Sequence, residues 1–257
     1  MKKTKKENFM YYLSYYSSYI PFIIPLLICM GLSLYASMKV KSTYQKYGKI
    51  FNRSGLTGYD TAYRLMRSGG VFDVQIGKVS GELTDHYHPT KAVVNLSDST
   101  YSSSSVAAVA VAAHEIGHVM QNKDGYAFYK LRTAIVPVAN IGSFLAMPLV
   151  MLGLILDLFV SSTANSDLGF YVAMLGVILY GMSFLFTLVT YPVELNASRR
   201  AKQMLVSQGI LASDEMEGAE KVLSAAALTY LASLLTSLVY FLRFLFYVLS
   251  IFGKRRD

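Results

Sequence analysis

The chain has 257 residues, 53% of them hydrophobic and 16% charged, with a formal net charge of +8 and a mean hydropathy of +0.38. A soluble domain carries about 25% charged residues, so this composition excludes an ordinary soluble domain, a disordered chain and a collagen-like fibre; it reads as a membrane protein with one modest polar domain. The single cysteine, Cys29, excludes an intramolecular disulfide and a cysteine-built metal site, and basic residues clustered beside apolar runs point to anionic lipid and membrane orientation, not to nucleic acid.

In chain order, Lys2, Lys3, Lys5 and Lys6 come first, then Tyr11, Tyr12, Tyr15, Tyr16 and Tyr19, placed as an aromatic belt at the headgroup level. Ile20 to Met38 is a charge-free run of 19 residues, about the length that crosses a bilayer. Ala36-Ser37-Met38 is a poor cleavage site, so this run is expected to remain as an anchor. Lys39 to Lys49 continues as a basic helical segment. Thr57 followed by Asp60 has capping-box character and predicts a helix from Gly58 to about Arg67, stopped by Gly69-Gly70. Val71, Val74 and Ile76 predict one short strand and Lys91 to Leu96 a second, the latter as an edge strand able to pair an extended substrate. A clear helix runs from about Val106 to Gln121.

Thr133 to Leu156 and Leu168 to Tyr191 are two further apolar runs of 24 residues each, divided only by a short loop that includes Ser161 to Asp167. They predict a transmembrane hairpin, which places residues 39–132 and 192–221 on one side of the membrane. Val222 to Leu242 is a fourth run, interrupted by Arg243 and resuming to Phe252; it either spans or lies against the membrane. The expected organisation is therefore 1–38, basic start and first span; 39–132, first part of a polar domain; 133–191, hairpin; 192–221, second part; 222–257, apolar helix and basic tail. The two polar segments hold twelve and four Lys or Arg and the hairpin loop none, so the positive-inside rule puts the polar domain in the cytoplasm, with the N-terminal lysines arguing the other way. The predicted class is α+β, mostly α, multi-pass.

The helix over 106–121 carries His114-Glu115-Ile116-Gly117-His118, the pattern H-E-x-x-H. Side chains four apart share a helical face, so both imidazoles can reach one ion, and Glu115 can serve as general base toward a water activated there. Gly117 costs about 1 kcal/mol in a helix relative to Ala, which points to close approach of another backbone or of the metal. Zinc accepts nitrogen and carboxylate donors, so a third ligand is needed. Glu194, immediately after the third run, is either that ligand or an interfacial carboxylate paired with Arg199 or Arg200. His86 is open between a hydrogen-bond donor to a transition-state oxyanion, a fourth metal ligand and a structural turn residue.

These residues resemble a known family. Gly81 to Tyr87, Ala112 to His118, Val136 to Gly142, Pro192 to Ala201 and Val222 to Tyr230 are together similar to the bacterial YugP-type neutral zinc metallopeptidases, membrane gluzincins related by motif to HtpX-type proteases. The resemblance covers nearly the whole chain. It implies a small zincin-like domain split around a transmembrane hairpin, and a peptidase binding one Zn2+ through His114, His118 and Glu194 with Glu115 as the catalytic base. In HtpX-type enzymes an Asp stands four residues beyond the glutamate ligand; Ser198 stands there in this chain, a candidate to brace a ligand histidine. His88 stands where the resemblance leads one to expect an acid. The implied partners are polypeptide, possibly membrane-associated in class, and the lipid bilayer. A zinc-binding structural or regulatory membrane protein without turnover is the alternative, which an intact Glu115 argues against. A transporter is disfavoured because the apolar runs are poor in ionisable residues.

Overall fold

The computed structural model describes residues 20–160 and 167–253. The N-terminal lysines and tyrosines, the hairpin loop at 161–166 and the basic tail at 254–257 lie outside the described residues. In chain order the elements are α1 (Ile20–Tyr47), α2 (Gly58–Ser68), β1 (Gln75–Val79), β2 (His86–His88), β3 (Val93–Ser97), α3 (Asp98–Tyr101), α4 (Val106–Lys123), α5 (Ala127–Val160), α6 (Leu168–Ser207) and α7 (Ser213–Gly253). The fold is mostly α with one small sheet, as predicted. Among the described residues, α1, α5, α6 and α7 are each long and apolar enough to cross a membrane, the fourth run included.

The chain forms two compact units. The first comprises Met1–Leu34, Pro137–Leu185 and Ala232–Asp257. Its large apolar side chains face outward, Phe144 at 78% exposure and Ile28 at 65%, which in water would be an aggregating surface and in lipid is ordinary. Within it α5 and α6 run antiparallel at close range. An added Cβ at Gly142 would lie 2.3 Å from the carbonyl oxygen of Leu179, one at Gly176 would lie 2.7 Å from that of Ala146, and Gly153 and Gly169 face each other in the same way. Ser183 Oγ donates to the Ala139 carbonyl across the pair at 3.0 Å. Small residues are what allow backbones in a bilayer to approach this far.

The second unit comprises Tyr35–Val136 and Phe186–Leu231. Its core surrounds α4, whose alanines and Val109, Ile116 and Val119 meet Leu65 and Met66 of α2, Val94 and Leu96 of β3, and Leu205 of α6. The capping box at α2 forms: Thr57 Oγ1 accepts from the Asp60 N–H at 3.1 Å, and Asp60 Oδ2 accepts from the Thr57 N–H at 3.0 Å. Ser105 caps α4 through the Ala108 N–H.

The sheet has the order β1-β3-β2, with β1 and β3 parallel and β2 and β3 antiparallel. This corrects two expectations. The strand predicted over Lys91 to Leu96 is β3, the middle strand, so its edges are already paired and it cannot add a substrate strand. The edge beside it is β2, whose three residues are too short to show an alternating pattern. The strand predicted from Val71 starts later, at Gln75, because the Val71 N–H is taken by the Met66 carbonyl at the end of α2.

Candidate metal centre

The second unit brings together four residues of the sequence pattern. His114, Glu115 and His118 come from the middle of α4, and Glu194 from α6. The packing of α4 on α6 is set at Gly117: a Cβ there would lie 2.5 Å from the carbonyl oxygen of Ala197. The close approach inferred from that glycine is therefore to another backbone. It sets Glu194 and Ser198, one turn apart on α6, against the two imidazoles.

His114 Nε2 lies 3.2 Å from Glu194 Oε2 and His118 Nε2 lies 3.4 Å from the same oxygen. The rings meet edge to face, with centroids 4.8 Å apart. One donor atom from each of the three residues lies within 4.8 Å of the others, a grouping able to hold a metal ion. The remaining ring nitrogens are held from behind. Gln121 Nε2 donates to the Val193 carbonyl at 2.7 Å and to Asn196 Oδ1 at 3.0 Å, so its Oε1 is the acceptor that faces His118 Nδ1 at 3.0 Å. That partner places the proton on Nδ1 and leaves the Nε2 lone pair turned to the triad. Ser198 Oγ meets His114 Nδ1 at 3.2 Å, supplying with a hydroxyl a contact that relatives were expected to make with a carboxylate.

Glu194 is buried and does not pair with Arg199 or Arg200. Its partner is Arg132 near the start of α5, whose Nη1 donates to Oε1 at 3.2 Å. Arg200 instead binds Asp124 and Asn196. With Oε1 engaged, Oε2 is the oxygen presented to both histidines. Two imidazole nitrogens, that of His118 with its tautomer set by Gln121, and one carboxylate oxygen are the donor chemistry that zinc accepts.

Glu115 points beside this group. Burial pushes its carboxyl up to about 7; His114 opposes that shift, Glu194 and Asp85 add to it, and the Tyr87 backbone opposes it. A divalent cation in the triad would act in the opposite sense and favour the ionised form. Tyr87 lies on β2, and Asp85 anchors that strand by accepting from the N–H and Oγ of Ser97 at 2.7 and 2.8 Å.

His86 is not brought to the triad. It is exposed, with Nδ1 at 2.8 Å from the Thr84 carbonyl and Nε2 at 3.1 Å from Asn95 Nδ2. Strand alternation accounts for this: Tyr87 faces α4, so His86 and His88 face away. Gln121, Asn196 and Arg132 were not singled out by sequence reasoning. The signal for Gln121 was available, since it lies three residues beyond His118 on the same helical face.

Helices fit for a bilayer and a His-His-Glu cluster able to hold a metal ion define the class as a membrane protein with a candidate metal centre. Residues 22–249 match the family model described as "Putative neutral zinc metallopeptidase", and the chain belongs to that family. It is similar to "Putative membrane protease YugP" of Bacillus subtilis (strain 168), with 44% identity over 224 residues, covering 87% of this chain and 95% of that protein. No solved structure matches.

Proposed function

We propose that this chain is a membrane-bound, zinc-dependent endopeptidase with one zinc ion per chain, held by His114, His118 and Glu194. The observation that carries the reading is the convergence of His114 Nε2 and His118 Nε2 on Glu194 Oε2, with Glu115 buried alongside. The family's zinc assignment supports it. Zinc at such a site supplies Lewis-acid polarisation of a carbonyl and a water that ionises near neutral pH. Glu115 takes a proton on its carboxylate from the attacking water and delivers it to the nitrogen of the leaving amine. Its depth in the unit excludes bulk water from that exchange. Gln121 holds His118 with its Nε2 lone pair free, and Ser198 Oγ hydrogen-bonds His114 Nδ1 from behind. The substrates are membrane-associated or misfolded polypeptides, a class consistent with apolar helices flanking the site.

The test is Glu115→Gln, which keeps the shape and removes the base. Zinc content of the purified variant is expected to match wild type while peptide hydrolysis falls at least about 100-fold, the usual scale for a general base. Undiminished hydrolysis would remove Glu115 from the mechanism. We place the catalytic unit in the cytoplasm on the distribution of Lys and Arg. A Gly55→Cys variant is then expected to resist membrane-impermeant thiol reagents in intact cells and to react once the cells are opened; labelling in intact cells reverses the orientation.

A further inference from the structure

Within the second unit, α1 and α7 border a cleft of about 430 Å³, lined by Tyr35, Lys39, Lys46 and Tyr47 on α1 and by Lys221 and Leu228 on α7 among others. Lys39 and Lys46 are seven residues apart, two helical turns, so they share one face of α1. Tyr47 packs over Gly218, where an added Cβ would lie 2.7 Å from the ring, and Lys221 lines the cleft beside it. Lys46 sits 5.3 Å from the centroid of the same ring. This gathers ammonium groups at one end of the cleft. Glu217 faces that end too and pairs with Lys221; among the described residues, Lys39 and Lys46 make no salt bridge.

The other end is apolar. Leu228 lines it, and Tyr35 and Met38 stand exposed beside it at 53% and 64%. Lys39 is the first charge after the 19-residue charge-free run, so the cationic end meets the level at which a bilayer's phosphates begin. Two cations that make no salt bridge, two tyrosines and an apolar exit in one cleft match an anionic amphiphile whose head is a phosphate and whose tail leaves toward the bilayer. A soluble anion would have no use for the apolar end.

We propose that this cleft is a binding site for an anionic phospholipid, with the phosphate held by Lys39, Lys46 and Lys221 and an acyl chain passing Leu228 and Met38. The site is separate from the metal centre and stands whether or not the peptidase reading does. The test uses the purified, delipidated full chain in neutral detergent, with phosphatidylglycerol and phosphatidylcholine of identical acyl chains as probes and native mass spectrometry as the readout. Wild type is expected to retain phosphatidylglycerol at least about 10-fold more than phosphatidylcholine. The K39Q/K46Q/K221Q variant is expected to lose that preference. K41Q/K49Q/K91Q, which removes the same number of charges outside the cleft, is expected to keep it. Thermal melting checks that each variant is folded, and K39Q alone serves if the triple variant is not. Equal retention of both lipids by wild type, equal loss in the two triple variants, or full competition by glycerol phosphate at lipid concentration would each overturn the proposal.

Discussion

At the residue scale the metal centre depends on side chains that would never touch the ion. Gln121 can orient His118 only because its own amide nitrogen is already committed to Val193 and Asn196, which settles which end of the amide faces the ring. Replacing it with Ala frees the imidazole to rotate and to change tautomer. Removing such a partner commonly lowers metal affinity about 10- to 100-fold, so Gln121→Ala is expected to lose zinc to a competing chelator within that range. A spectrophotometric competition titration measures it. An unchanged affinity would mean that packing alone holds His118. Ser198 is a weaker support by the same reasoning, since a hydroxyl is uncharged and a carboxylate at that position would raise the basicity of His114.

At the scale of elements, the decisive contact is α4 on α6 at Gly117. Alanine there would gain about 1 kcal/mol of helix propensity. Against that, its Cβ would lie 2.5 Å from a backbone oxygen that cannot rotate away, and overpacking of this kind costs about 1–3 kcal/mol. The clash outweighs the propensity. Gly117→Ala is therefore expected to lower the melting temperature and to reduce zinc content together, because the shift separates His114 and His118 from Glu194. Melting and metal analysis on one preparation test this; a variant that melts lower with full zinc would uncouple the helix contact from the site. The small sheet also acts at this scale. β2 is three residues long, yet it is fixed against α4: Asp85 ties its start to Ser97 at the end of β3, and the Tyr87 hydroxyl accepts from Asn122 Nδ2 at 3.1 Å.

At the scale of the whole molecule, the proposed ligands come from two helices, His114 and Glu194 being 80 positions apart in the chain, so an ion bound at the triad would crosslink α4 to α6. A ligand present at 100 times its dissociation constant stabilises the state that binds it by about 2.7 kcal/mol, which in a domain of this size is roughly 5–10 °C. Stripping the protein with a chelator is expected to lower its melting temperature by that amount, and readdition of zinc to restore it. His114→Ala and Glu194→Ala are expected to melt near the stripped value and to show no response to zinc. A full response in Glu194→Ala would exclude it as a ligand.

Much of this was legible without coordinates. Runs of 19 to 24 uncharged residues have the length a hydrocarbon layer requires, and the His114–His118 spacing matches the helical repeat; both are local properties of the chain. The Thr57–Asp60 box could be read for the same reason, since it is a constraint on a few neighbouring residues, whereas Gly117 signalled a close approach without naming its partner, the Ala197 backbone on α6. The short strand β2 could not, because three residues carry no period. The partner of Glu194 could not either: Arg200, near in sequence, pairs with Asp124 at the end of α4, while Arg132 arrives from α5. By itself the sequence determined the apolar helices, the helix that carries His114 and His118, and the resemblance to a zinc metallopeptidase family; run length and periodicity fix the helices, and the motifs fix the family. Only the tertiary structure decided which oxygen of Glu194 faces the histidines, which amide sets the tautomer of His118 and which strand packs beside the helix that carries Glu115. Those are meetings of side chains from separate elements, and distance along a chain does not encode them.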